Sequence, residues 1–200
     1  MPPMLTVVGS VNEVSQRQAA YAVAHGFTGF PVSPELLLAQ HDCQSPPADD
    51  LVFHVADCLA AKRPVVLQTS RNAADVREVI ETGARLELNE EKLHERITGN
   101  LARIVKRILD RTSVPTLTVF GGDTLLAIAR ECGWRGFYPH DELAPGVVHA
   151  ETEPGGKTHI ISKPGGFGGE DALWEIWKAI AAADRIGVES EQRVSCSEKS

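Results

Sequence analysis

Long apolar runs are absent from this 200-residue chain, so nothing in it is expected to cross a bilayer as a helix. Basic excess is absent as well: 20 Lys and Arg stand against 27 Asp and Glu, a net charge of −7. A nonspecific grip on nucleic acid is therefore not expected. Backbone amides can still bind an anion locally inside an acidic protein. Cysteine is sparse. Cys43, Cys58, Cys132 and Cys196 are scattered, with no CxxC pair and no histidine at zinc-ligand spacing, which points to a reduced, cytoplasmic setting. The opening MPPMLTVVGS lacks the basic region and extended apolar stretch of a secretory signal. No GxGxxG follows the first apolar run, which argues against a dinucleotide-binding dehydrogenase.

What is present is an alternation of strand and helix signals without internal repeat or interdomain linker. Leu5-Thr6-Val7-Val8 reads as a strand ended by Gly9-Ser10, and Ser15-Gln16-Arg17-Gln18 as a capping box opening the helical AAYAVAH. FTGFPV reads as a short strand, residues 48–62 as a helix closed by Pro64, and Pro64–Thr69 as a buried strand. Ala73–Glu81 reads as a short helix. Glu90–Asp110 is the most periodic segment, with Leu93, Ile97, Leu101, Ile104, Val105 and Ile108 at helical spacing. Val114–Phe120 is a β-branched strand, Leu125–Glu131 a helix, and RGFYP a candidate strand. Val147–Glu153 and Lys157–Ser162 flank Pro154-Gly155-Gly156 as a hairpin, and Glu170–Ala183 is a closing helix carrying Trp174 and Trp177. The pattern predicts one layered α/β/α domain over residues 5–184, with a mainly parallel sheet, a C-terminal β-hairpin and a frayed tail over 185–200.

Gly156-Lys157-Thr158 imitates the end of a Walker A loop. The glycine required six positions before Lys157 is replaced by Glu151, and a strand, not a helix, follows Thr158. Without a helix N-terminus there is no row of free amides for a phosphate, so the pair is read as the start of a hairpin strand. Three other turns each end a strand and enter a helix: Gly9-Ser10, Gly121-Gly122-Asp123-Thr124, and Gly165-Gly166-Phe167-Gly168-Gly169. In open α/β sheets ligands gather beyond the carboxyl ends of strands, so these turns are candidates to line one site. For Gly121-Gly122 a phosphate contact and a plain βα turn both stand open. Asp123 or Thr124 is expected to cap the following helix, with placement of Mg²⁺ as the alternative for Asp123. Ser10 is either a nucleotide donor or a turn residue bonding its own backbone. Four glycines in five positions carry a large entropic cost, and their amides can form an anion nest. Lys163 is expected to be a solvated strand-end lysine, with a point charge near a phosphate as the alternative, and Phe167 a plug into the core, with an adenine stacking partner as the alternative. His54 and Asp57 read as a surface pair, and the two tryptophans as core.

Taken in order, VVGSVNEVSQRQ, VFGGDT, LAPGVV and ISKPGGFGGEDAL resemble the four-carbon acid sugar kinases, specifically their C-terminal nucleotide-binding domain, from about Leu5 to Ala183. The resemblance implies ATP-dependent phosphorylation of sugar acids such as threonate, erythronate or their oxo derivatives, with ATP and Mg²⁺ as cofactors. It also implies ATP contacts from Ser10, Gly121, Gly122, Asp123, Thr124 and Gly165. It assigns no catalytic residue and no metal ligand. Members of that family carry an N-terminal sugar-acid-binding domain. No such domain precedes Leu5, so this chain is expected to be the donor half alone, partnered by a separate domain or chain, with self-association open. The alternative is a non-catalytic nucleotide- or metabolite-binding regulatory domain.

Overall fold

Strand β1 (Met4–Val8) is buried along its whole length and hydrogen-bonds on both edges. Strands buried on both faces are continuous apolar runs, and MLTVV is one. Around it the computed structural model, which describes residues 3–40, 45–153 and 158–182, builds the remaining elements. In chain order they are α1 (Glu13–Ala24), β2 (Thr28–Pro31), α2 (Pro34–Leu37), α3 (Pro46–Ala60), β3 (Val65–Gln68), α4 (Ala73–Arg85) and α5 (Glu90–Arg111). Then come β4 (Thr116–Phe120), α6 (Gly122–Cys132), β5 (Gly136–Ala144), β6 (Val147–Glu153) and β7 (His159–Lys163). A last helix, α7, covers residues 172–182.

The seven strands form one sheet in the order β2-β3-β1-β4-β7-β6-β5. From β2 to β7 neighbours are parallel, and β7-β6-β5 is antiparallel. The expected hairpin is thus β6–β7, but β7 lies inside the sheet beside β4 and β5 forms the antiparallel edge. Successive side chains alternate faces. Leu5, Val7, Val65, Leu67, Leu117 and Val119 pack with α3, α5 and α6 through Val55, Leu59, Leu101, Ile104, Ile108 and Ile128. Met4, Val8, Val66 and Phe120 pack with Ala19 and Ala22 of α1 and with Leu173 and Trp177 of α7. The layered α/β/α reading is what the structure shows, and both tryptophans join this second core, Trp174 partly buried.

Several local expectations change. Helix α1 starts at Glu13, because the Asn12 side chain accepts from Val14 N at 2.8 Å and caps it first. Ser15 is therefore inside the helix and not its cap. Helix α3 begins at Pro46, whose fixed φ suits the first turn. Helix α4 continues to Arg85 through Gly83, where Leu93 of α5 packs so closely that a Cβ would lie 2.6 Å from its Cδ1. The short α2, capped by Ser33, and the C-terminal half of β5 carry no signal read from the sequence. The Pro154-Gly155-Gly156 turn, Lys157, Cys43, Cys196 and the 185–200 tail lie outside the described residues. Thr158 stands at the start of β7 and donates to Val114 O at 2.9 Å. That is the opposite end of the sheet from the strand-end turns, which removes it from any shared cradle. Among the described residues no helix is long and apolar enough to cross a membrane.

Candidate functional site

Strands β1 and β4 are neighbours, yet the helices that follow them cover opposite faces of the sheet: α1 the tryptophan side, α6 the other. Their loops must diverge, and a crevice opens beyond their carboxyl ends at the point where strand order reverses. A cleft of ≈ 810 Å³ lies there. The ends of β1, β3 and β4 supply Gly9-Ser10-Val11, Thr69-Ser70 and Gly121-Gly122-Asp123-Thr124, while α4 and α5 form its far wall.

The loops are sewn together. Gly121 N donates to Lys163 O at 3.1 Å, tying the end of β4 to the end of β7. Gly9 lies so near α6 that a Cβ would stand 2.1 Å from Thr124 Oγ1. Gly165 lies against Ser10, where a Cβ would stand 2.7 Å from the Ser10 Oγ, and its carbonyl accepts from Ser15 Oγ at 2.6 Å. Buried Gln18 of α1 directs Nε2 at the carbonyls of Phe167, Gly168 and Gly169, at 2.9, 3.3 and 2.7 Å. The structure therefore brings Ser10 and Gly121–Thr124 into one cleft and sets Gly165 beside Ser10.

Neither Asp123 nor Thr124 caps α6. The N-cap is Gly121 at φ 111°, a conformation open to glycine, and no side chain bonds the helix start. The amides of Gly122, Asp123 and Thr124 find no acceptor among the described residues. Three orphan donors and the helix dipole thus meet at the floor of the cleft. The amides of Gly165, Gly166, Gly168 and Gly169 likewise meet no acceptor among the described residues, while Gln18 takes up three of the loop's carbonyls. Ser10 Oγ accepts from Asn12 N at 3.2 Å, the local turn bond expected of it, and also lines the cleft.

The far wall is apolar, built from Val76, Val79 and Ile80 of α4 with Leu93 and Ile97 of α5. Among the described residues no lysine or arginine lines the cleft; Glu90, Glu91 and Asp123 do. Asp123 is exposed and meets His94 Nε2 at 3.4 Å. No group of three or more His, Cys, Asp or Glu among the described residues is placed to hold a metal ion, His54 and Asp57 included. Two expectations about the glycine loop fail. Phe167 is 57% exposed and does not plug the core. Lys163 is not solvated: it is 2% exposed, its Nζ donates to Pro164 O at 2.9 Å and sits 4.4 Å from the Phe120 ring centre, and burial pushes its pKa down to about 8.

Sequence reasoning missed Thr69-Ser70, which the strand-end rule would have found had it been applied to β3. Ser15 and Gln18 were missed as braces, because a capping-box reading absorbed them. The apolar wall was visible only as helical periodicity, which does not say which residues stop short of the core.

A residue-pattern model for the nucleotide-binding C-terminal domain matches residues 5–173. The chain belongs to that family. Among curated proteins this nucleotide-binding domain is 26% identical over 176 residues to D-threonate kinase of Salmonella typhimurium, covering 86% of this chain and 41% of the enzyme. It is 28% identical over 182 residues to D-threonate kinase of Cupriavidus necator, covering 89% and 40%. The chain thus spans about two fifths of the length of these relatives. Among solved structures, a domain of unknown function from Bordetella bronchiseptica, a domain-swapped dimer with bound citrate, superposes with TM-score 0.66 at 19% identity. That match covers 90% of this chain and 41% of the other. A Haemophilus influenzae protein matches with TM-score 0.64 at 18% identity, over 85% and 38%. At such identities these structures speak for the fold.

Proposed function

We propose that this domain binds ATP in the strand-end cleft and serves as the phosphoryl-donor half of a kinase for four-carbon sugar acids of the threonate or erythronate type. The observation that carries the reading is the uncapped start of α6, where three amides without acceptors among the described residues face a cleft that has an apolar wall opposite. A polyphosphate satisfies such amides without needing a basic side chain, and an apolar slot suits a nucleobase. Ser10 and the loop at Gly165 close the same side. ATP, when bound, supplies the phosphoryl group. This chain's own residues bind and orient it: the Gly122–Thr124 amides as an anion floor, Ser10 as a hydroxyl donor, the α4–α5 wall as the base slot. Asp123 is the carboxylate on hand for a nucleotide-bound Mg²⁺, directly or through water.

Phosphoryl transfer rests on positioning donor and acceptor together. The relatives named D-threonate kinase are more than twice as long as the matched segment, and on this reading the acceptor site is supplied by a part that this chain does not match. Calorimetric titration with ATP-Mg²⁺ tests the donor site. Binding is expected for the wild type and strong weakening for Gly165→Val, whose branched side chain would displace Ser10. Absence of binding, or an unaffected Gly165→Val variant, overturns the site. Threonate phosphorylation is expected only when a sugar-acid-binding domain is added. A domain that binds ATP but stays inactive after that addition is a regulatory binder.

A further inference from the structure

Lysine is rarely buried without a carboxylate, and Lys163 is such a case. Its side chain enters the tryptophan face of the sheet and curls under the glycine loop. A Cβ on Gly168 would lie 3.9 Å from its Cε. Its contacts are one carbonyl, Pro164 O, and the face of Phe120. It forms no ion pair among the described residues, and the charged groups around it are engaged or turned outward. On α1, Glu13 and Arg17 pair with each other at 3.5 Å. On α7, Glu175 and Lys178 do so at 2.7 Å. Glu170 and Asp171, at the exit of the loop, are exposed, and β4 presents the Phe120 ring. A carbonyl and a ring face stabilise a cation only partly, and the pKa of Lys163 is lowered accordingly. Just above this ammonium lies a loop whose glycine amides meet no acceptor among the described residues and whose carbonyls are drawn toward Gln18.

Resting on the nucleotide-site reading, we propose that Lys163 is the buried cation of that site, without a counter-charge among the described residues until the nucleotide phosphates arrive between the α6 amides and the glycine loop, so that binding draws a proton onto Lys163. No phosphate contact to Nζ is needed. The ammonium is itself buried, so its attraction to an anion on the loop is screened less than that between two surface charges, and an anion nearby favours the protonated amine. Every balance is met by solvent: one proton leaves the buffer and joins the amine, and no bond to the nucleotide forms.

The test is calorimetric titration of the whole chain with ATP-Mg²⁺ at pH 8 in two buffers of different ionisation enthalpy. Phosphate's second ionisation is complete by then, since it lies near pH 6. An upward shift of about one unit from the free value predicts uptake of about 0.4 proton per nucleotide. In Lys163→Met and in Lys163→Gln, which keeps a donor for Pro164 O, the uptake is expected to vanish and affinity at pH 7 to fall about tenfold. Carbon and nitrogen NMR of the lysine side chains gives the second readout without any substitution: the Lys163 titration midpoint moves up when nucleotide saturates the protein. Binding without proton uptake, or uptake that survives in both variants, overturns the role of Lys163 and leaves the nucleotide site standing. Absence of binding overturns both.

Discussion

Replacing Gly9 by alanine is the sharpest probe of how the cleft is built. Nothing about the backbone forbids it, because Gly9 is not among the residues with positive φ. The obstacle is Thr124, whose Oγ1, Cγ2 and Cβ would stand 2.1, 3.0 and 3.1 Å from the new methyl. Thr124 is buried and branched at Cβ in the first turn of a helix, so its rotamers are few. Ordinary contact therefore requires the start of α6 to retreat from β1 by about 1 Å. Overpacking of this kind costs about 1–3 kcal/mol. Thr124→Ala removes Oγ1 and Cγ2 at a cost of about 1 kcal/mol for the lost packing. The double variant is then expected to recover most of the Gly9→Ala loss, a coupling of at least about 1 kcal/mol. Urea unfolding of the wild type, both singles and the double measures it. Gly9→Ala within about 0.5 kcal/mol of wild type, or strictly additive effects, would refute the close approach of α6 to β1. Nucleotide affinity supplies an independent check, since the amides that move are those of the proposed phosphate floor.

Other consequences are simpler to state. Gln18→Leu keeps the volume but strips the donor from three loop carbonyls; it should destabilise by about 1–3 kcal/mol and speed amide exchange across 165–171, and an unchanged exchange pattern would contradict the bracing role. Asn12→Ala should cost about 1 kcal/mol through loss of the α1 cap, whereas Ser15→Ala should loosen the Gly165 loop, as read by exchange, and leave the helix start intact. For Lys163 the folded pKa, about 8, lies below that of the unfolded chain. The unfolded state therefore holds more protons between about pH 8 and 10.5, and wild-type stability should rise with pH across that window. Lys163→Met should accordingly be more stable than wild type below pH 8, by about 1–3 kcal/mol, with the gain fading toward pH 10.5; parallel pH–stability curves for the two proteins would exclude the buried ammonium.

The layered sheet was legible because each core strand is an apolar run set between turn residues, as at Leu5–Val8 and Val114–Phe120, and because α5 repeats at helical spacing for six turns. Such signals are local and redundant. The site was half legible: a rule about strand ends found the Gly9, Gly121 and Gly165 turns, but it cannot say which side chains close around them. Asn12 outbid Ser15 as a cap because it comes first and reaches Val14 N. Asp123 does not cap α6 because Gly121 at positive φ already turns the chain into the helix, leaving Asp123 in the first turn. Lys163 and Phe167 are the plainest reversals. Which of them enters the core is decided by Phe120 and Gln18, neither of which neighbours the loop in sequence, and an aromatic ring beneath a lysine has no counterpart in local pattern.

The braces of the cleft also set an order of events in the making of the protein. Ser15 and Gly165 are separated by 150 positions, and Gln18 reaches loop residues up to 151 positions away. During synthesis, β1, β3 and β4 can pair long before the glycine loop has left the ribosome. The cleft thus exists first as an unfinished groove, with α1 presenting a buried-type glutamine to nothing. The carbonyls that its Nε2 meets come only with residues 167–169, so the site is assembled after β1, β3 and β4 have been made. A chain stalled before residue 165 should therefore be able to hold most of its sheet while being unable to recognise a nucleotide.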